Sequence, residues 1–318
     1  MLSIKKLNVG RAIAVSALAL VSVGPAFAWG SEGHKLVARI AAAHLTTPAR
    51  EHVAALLGVD ASDLDVLTDA MAKAATWADE VKGKPEGAGT SDWHFLDLAY
   101  NDTKSDIAQR CPDGDCITAK LADLSGALRA QKNYHFGSRD YAPADELRFI
   151  IHFMGDIHQP LHSATNADKG GNCLHTQGFG ATELHAAWDT GLVEALLTAD
   201  GKSLDEAGLA RSLNRRFASK RAAFAAMTDF EDMALESRGV AFESAYGPLL
   251  SWLPAPEPRP FLKVTSCTQA AEFDKLDPPV DLTAVYDDGT LVIVRQQLAK
   301  AGYRLANLLN TIFKDQGM

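Results

Sequence analysis

The sequence has little of several things that usually announce a function. No glycine-rich loop sits between a strand and a helix, and no βαβ rhythm is present, which argues against a parallel-sheet nucleotide-binding fold. No segment repeats at the periods of solenoids or propellers, and no low-complexity tract occurs. Positive charge is scarce: 31 Lys and Arg against 40 Asp and Glu give a net charge of −9. An acidic chain repels nucleic acid at long range. Any phosphate chemistry must therefore take its positive charge from another source, such as bound metal. Cysteine is rare too: the 318 residues include four.

Long apolar runs are missing except at the N-terminus. Residues 12–24 are apolar but short for a bilayer span. Lys5, Lys6 and Arg11 precede them, and Ala26-Phe27-Ala28 follows as an A-x-A cleavage pattern. Residues 1–28 read as a cleaved signal peptide, with an uncleaved anchor as the alternative. The mature chain then begins at Trp29, and residues 29–318 form a single domain. Losing the leader removes three positive charges and no negative ones, taking −9 to −12. The expected location is secreted or periplasmic. In an oxidising compartment four cysteines default to two disulfides. Cys111 and Cys116 flank a turn-rich Pro-Asp-Gly-Asp, which can bring them together, and Cys173–Cys267 follows by elimination. A cysteine metal site is the alternative, weakened by the lack of a second close pair.

What is present is mostly helical periodicity. Ser31 is placed to cap a helix carrying Leu36, Val37, Ile40, Ala41 and Leu45 at helical spacing. Thr47-Pro48 opens a second helix that Gly58 closes. Further helices are expected over 62–81, 117–132, 144–157, 182–197, 204–230 and 285–313. Short strands are expected near 93–98 and 173–176. The fold class is mainly α, one helical domain with little β.

The chemistry concentrates in His-Phe-Met-Gly-Asp-Ile-His-Gln-Pro-Leu-His, residues 152–162. His152 and Asp156 are four apart, which on a helix puts them on one face. Pro160 ends the helix and His162 follows in a new direction. A second such pair is His185 and Asp189. Five of the ten histidines, His152, His158, His162, His175 and His185, fall within 34 residues. Imidazole nitrogen and carboxylate oxygen both suit Zn²⁺. One such pair alone would read as a surface ion pair. The helix carrying His152 is otherwise apolar, and burying His and Asp in such a face is costly unless they are paired or metal-bound. Asp79 in Trp-Ala-Asp-Glu and His94 in Asp-Trp-His-Phe-Leu-Asp are unremarkable singly, a surface charge and a packed ring.

Trp29, Gly-His-Lys-Leu-Val-Ala-Arg-Ile-Ala, the two segments around Asp79 and His94, the 152–162 motif, Gly-Gly-Asn and Leu-His-Ala-Ala-Trp-Asp occur in that order, from Trp29 to Asp189. Together they resemble the zinc-dependent single-strand nucleases of fungi, plants and bacteria. That resemblance implies the helical fold shared with the bacterial zinc phospholipases C and three Zn²⁺ per chain. Asp79, His94, His152 and Asp156 would hold one zinc, and His162, His185 and Asp189 a second. His34, Asp156 and the α-amino nitrogen and carbonyl of Trp29 would hold the third. His158 is no ligand in that family, and its expected part is to orient one. His44, His52, His135 and His175 match no ligand position. Asp79 would help position the attacking water.

Lys82 stands where the fungal enzymes carry a phosphate-contacting arginine; a solvated surface lysine is the alternative. Phe95 would stack on a base and Asp97 accept its hydrogen bonds, which favours unpaired bases. Core packing competes for Phe95. Asn172 would line the same cleft or stabilise its loop. The implied activity is hydrolysis of single-stranded DNA and RNA to 5′-phosphate products, with 3′-nucleotides as further substrates, by a monomer without a protein partner. A zinc phospholipase C is the nearest rival. There, however, the tryptophan and the next histidine are further apart and the last acid is Glu. A non-catalytic zinc-storage protein is a second rival, which leaves Phe95 and Asp97 beside the ligands without a purpose.

Overall fold

The computed structural model describes residues 29–201, 203–254, 257–273 and 276–314. The expected signal peptide lies outside the described residues. Within them the chain is mainly α, as the periodicity predicts.

Two helices form the centre. The Asp288–Ile312 helix packs along the Gly30–Ala42 helix, and both touch the Pro143–Asp156 helix. The first two approach very closely: a Cβ on Gly302 would lie 2.4 Å from Ile40 Cγ2. The Pro143–Asp156 helix is wholly buried from Phe149 to Asp156, on every face, because Ile117–Ala130 and Trp77–Val81 cover its remaining sides. That is what an apolar run interrupted by His152 and Asp156 requires.

Local signals explain most helix ends. Thr47–Leu57 starts with Pro48 in its first turn and ends at Gly58, whose φ of 70° lets its N–H reach the carbonyls of Ala54 and Ala55. Asp63 caps Leu64–Ala74 by accepting from the N–H groups of Asp65 and Val66. The expectations differ from the structure at several ends. Ser31 lies inside the first helix, whose N-cap position is Trp29. The 62–81 stretch breaks after Ala74 and resumes as Trp77–Val81. The 204–230 stretch divides into Glu206–Arg216 and Arg221–Ala225, and a further helix runs Phe230–Val240. The 182–197 helix contains a π-turn at Ala187–Gly191. The expected strand near 93–98 is a 3₁₀ turn, Ser91–His94, followed by extended chain. The other β element is displaced by a few residues: Thr176–Gln177 pairs in parallel with Val280–Asp281. A small hairpin, Tyr134–Phe136 with Arg139–Tyr141, was not anticipated.

Both disulfides form as expected, Cys111–Cys116 and Cys173–Cys267. No helix among the described residues is long and apolar enough to cross a membrane.

Candidate metal centre and its cleft

Asp156, at the end of the buried helix, is the hub. Its Oδ1 lies 3.3 Å from His34 Nε2, and its Oδ2 lies 3.0 Å from His94 Nδ1 and 3.2 Å from His152 Nε2. Asp79 Oδ1 stands 3.7 Å from both His94 Nδ1 and His152 Nε2. On the other side His162 Nε2 and His185 Nε2 face each other at 3.2 Å. Asp189 closes that group, 3.3 Å from His185 Nε2 and 3.9 Å from His162 Nε2. The π-turn lies here, as such turns often do at functional sites. Three sets of donors result: His34, His152 and Asp156; Asp79, His94 and His152; His162, His185 and Asp189. Every histidine and aspartate expected as a ligand is in one of them, and all are buried.

Close packing makes room for these rings. A Cβ on Gly155 would sit 2.8 Å from His34 Nδ1, so glycine lets the first helix bring His34 down onto Asp156. Trp29 is fully buried, and its carbonyl accepts from the Gly33 N–H at 3.0 Å. Gly30, with φ of +40°, runs so close to the π-turn that a Cβ would meet Thr190 Oγ1 at 2.8 Å and the Asp189 carbonyl at 3.3 Å.

The main chain sets the ring orientations. His152 Nδ1 lies 2.6 Å from the Ala75 carbonyl, His162 Nδ1 2.8 Å from that of His94, and His185 Nδ1 2.6 Å from that of Gly170. Each Nδ1–H therefore donates to a carbonyl; in His162 and His185 this leaves Nε2 as the lone-pair atom of a neutral ring, whereas in His152 Nε2 faces Asp156 and Asp79 and keeps a second proton that a bound cation would displace. The Ala75 carbonyl lies at the end of the Leu64–Ala74 helix, which accounts for the break there. Two lone pairs facing each other at the His162–His185 separation repel unless a cation lies between them. The buried atoms His34 Nε2, His94 Nε2, Asp156 Oδ1 and Asp189 Oδ2 have no hydrogen-bond partner among the described residues. Buried polar atoms are ordinarily satisfied. This donor set, rich in nitrogen with carboxylates and no thiolate, fits Zn²⁺.

Electrostatics agree at four of the five rings. Burial pushes His34, His94 and His162 below the ordinary histidine range. Burial, with His162 alongside, takes His185 down to about 3. Neutral rings are the form that binds metal. Burial also opposes charge on His152 and Asp156. Asp156 and Asp79 nonetheless hold His152 up at about 9, and His152, His34 and His94 hold Asp156 well below the usual carboxylate range.

His158 does not orient a ligand, contrary to the sequence expectation. Its Nδ1 donates to the Met154 carbonyl at 2.8 Å, and its Nε2 accepts from Arg304 at 2.9 Å. Arg304 also pairs with Glu236, which Lys300 joins. His158 thus ties the motif to the last helix, and burial with Arg304 takes it down to about 3. The residue that orients a candidate ligand is its neighbour Gln159, whose Nε2 donates to Asp189 Oδ1 at 2.5 Å. Its place inside the histidine-rich motif was the available signal. His44 and His52 stand apart against Asn214 and Phe313, and His135 pairs with Asp140. His175 bridges to Glu183.

A cleft of about 490 Å³ opens onto this centre. His94, His162 and His185 form part of its lining, and Lys82, Phe95, Asp97 and Asn172 continue it. Phe95 is only half-buried, so core packing does not account for it. Lys82 donates to Asp79 Oδ1 at 2.8 Å. Asn172 donates to the Lys169 carbonyl at 2.7 Å, so it both lines the cleft and fixes its loop. Burial and the nearby Asp168 raise Asp97 to about 7. Lys169, Lys263 and Thr265 also line the cleft and were not anticipated. Lys169 directly precedes the Gly-Gly-Asn signal; Lys263 comes from a loop with no motif.

Comparison with known proteins agrees with this geometry. The model of the S1/P1 nuclease family matches residues 29–314. Nuclease S1 of Aspergillus oryzae is 28% identical over 95% of this chain and 98% of its own length. Nuclease P1 of Penicillium citrinum is 26% identical over 89% and 97%, and endonuclease 2 of Arabidopsis thaliana 28% over 90% of each chain. With eight buried histidines and aspartates that could hold metal gathered beside a cleft that Phe95 lines, and a match running from Trp29 almost to the end, the chain belongs to the S1/P1 nuclease family and is a hydrolase of phosphodiester bonds.

Proposed function

We propose that the chain is an exported zinc-dependent endonuclease that cuts single-stranded DNA and RNA to 5′-phosphate products and also acts on 3′-nucleotides. The observation that carries this reading is the joining of three buried donor sets to a cleft walled by Phe95 and Asp97. Three Zn²⁺ would be held, one by Asp79, His94, His152 and Asp156, one by His162, His185 and Asp189. The third would be held by His34, Asp156 and the α-amino nitrogen and carbonyl of Trp29. Bound zinc supplies Lewis-acid charge and brings the pKa of coordinated water to about neutral. With three carboxylates the loaded centre is net positive, which gives an acidic protein a local attraction for phosphate.

The chain's own residues do the rest. Phe95 stacks on an unpaired base, which a paired one cannot offer. Asp97 reads the edge of that base, and Asn172 borders it. These contacts fix the scissile phosphate against the donor sets, so that attack opposite the departing 3′ oxygen is a matter of positioning. Asp79 orients the attacking water. Lys82, bonded to Asp79 and lining the cleft, would offset charge on the phosphate with its ammonium. As a lysine it does so as a point charge without an arginine's fork. No observation favours the phospholipase reading.

The test is direct. Protein beginning at Trp29 and loaded with zinc should release 5′-mononucleotides from single-stranded DNA and RNA, and a chelator should stop it. Intact nucleic acid at full zinc loading would overturn the reading. Cleavage of phosphatidylcholine instead would install the phospholipase. A second arm compares this protein with one carrying extra residues before Trp29. The extended form should bind less zinc and turn over more slowly, and equal zinc content and turnover would remove Trp29 from the ligand set.

A further inference from the structure

One wall of the cleft has no part in the reading above. Lys263, Val264 and Thr265 come from an irregular stretch, residues 257–266, that crosses beside the loop carrying Lys169. The stretch is fastened to that loop at both ends. At one end the Arg259 N–H donates to Asn166 Oδ1 at 2.8 Å. The Arg259 side chain pairs with Glu272 and lies 4.5 Å from the centre of the Phe273 ring. At the other end Cys267 is disulfide-bonded to Cys173. Midway, the Arg110 guanidinium covers the Phe261 ring at 3.6 Å, while two hydrogen bonds to Asp102 hold Arg110 itself. Irregular chain secured at three points holds a side chain in place far better than a free loop does.

The two lysines line the cleft beside Asp97, the residue that reads the base. Both ammonium groups act on Asp97, where they oppose the upward push of burial and Asp168. Lys82 stands on Asp79, and both it and Lys169 also act on His185. Positive charge is thus placed beside both Asp97 and Asp79 in one cleft of a chain whose net charge is −9. A 3′-nucleotide needs it at only one of these places, since its single phosphate is the reacting one. A strand has a second phosphate on the far side of each base.

We propose that Lys169 and Lys263 form a binding site for the phosphodiester next to the scissile one, so that the strap at 257–266 selects polynucleotide over mononucleotide. The inference rests on the nuclease reading and adds a residue-level subsite to it. Lys169 and Lys263 are binding residues for the neighbouring nucleotide and take no part at the reacting atoms.

The experiment compares a 3′-mononucleotide with single-stranded oligothymidylate, across a salt series, for zinc-loaded wild type, Lys263→Ala, Lys263→Arg and the Lys169→Ala/Lys263→Ala double variant, with zinc content measured alongside. The alanine variants should raise KM for the oligonucleotide. They should also flatten its salt dependence by about 0.7 in log–log slope for each phosphate no longer neutralised. Measured well above the Asp97 titration, where losing a lysine no longer changes the charge on that carboxylate, KM for the mononucleotide and zinc content should hold, and Lys263→Arg should recover oligonucleotide binding. A Cys173→Ser/Cys267→Ser variant, which frees one end of the strap, should show the same oligonucleotide-specific loss. Unchanged oligonucleotide KM and salt slope would overturn the proposal, as would equal losses on both substrates. A wild type that turns over neither substrate removes the nuclease reading itself.

Discussion

The effects of Gln159 and Asp97 can be measured apart from each other. Gln159 holds Asp189 against His162 and His185 through a single amide. Hydrogen-bond partners of metal ligands typically account for about 10–100-fold in affinity. Gln159→Leu should therefore weaken zinc at that donor set by about 10–100-fold while the sets around Asp156 keep theirs. Competition against a chelator reads this, and unchanged affinity would show Asp189 to be oriented by other contacts. Asp97 sits near a pKa of about 7 because burial and Asp168 raise it. Below that pH its carboxyl can donate and accept, whereas above it only accepts. Selectivity for bases with adjacent N–H donors, guanine foremost, should thus rise as pH passes through 7. Asp97→Asn should flatten the profile of kcat/KM ratios among 3′-nucleotides, and a profile that survives the substitution would assign the titration elsewhere. The linked stability has the opposite trend. A carboxyl whose folded pKa exceeds its unfolded value, ordinarily about 4, is favoured protonated, so its contribution falls as pH rises from about 4 to about 7. Asp97 was legible in the sequence as a neighbour of His94, but its proton affinity was not, because Asp168 lies 71 positions away.

At the level of elements, two glycines separate site from scaffold. In the Pro143–Asp156 helix, an added Cβ at Gly155 strikes the His34 ring, a side chain that can swing aside. Gly155→Ala should fold, displace His34 and lower bound zinc by one per chain, measured by elemental analysis. Full zinc content would mean that His34 is not a ligand. In the Asp288–Ile312 helix, a Cβ at Gly302 meets Ile40 and, at 3.1 Å, the Val37 carbonyl, which cannot swing. Gly302→Ala should cost about 1–3 kcal/mol by overpacking, with zinc retained in the folded fraction. A thermal or denaturant midpoint equal to wild type would show that the two helices separate freely. Periodicity read these helices well because their apolar stripes are long. It missed the break after Ala74 because nothing local demands it: the freed Ala75 carbonyl serves His152, 77 positions on. It missed the Tyr134–Phe136 hairpin because three-residue strands carry no usable alternation.

Across the whole molecule, the two disulfides close very different loops. Cys111–Cys116 spans 5 positions and Cys173–Cys267 spans 94. On chain-entropy grounds these restrict the unfolded chain by about 2 and about 4.7 kcal/mol respectively. Removing the longer bridge by paired Cys→Ser substitution should cost roughly twice as much stability as removing the shorter, and equal losses in denaturant titration would contradict this. The pairing was legible from one turn-rich loop and elimination. The function of the longer bridge was not, because Lys263 has no motif and reaches the cleft only through the fold.

The carbonyls of Ala75, His94 and Gly170 that point His152, His162 and His185 belong to the main chain. No side-chain substitution deletes them. Ring orientation is therefore passed on with the backbone path, and the surrounding residues are free to drift over generations. A family built this way can keep one ring geometry at identities as low as the 26–28% found here. It also tells an engineer where the centre can be retuned: at Gln159, where orientation depends on a replaceable side chain, and hardly at all beside the three histidines.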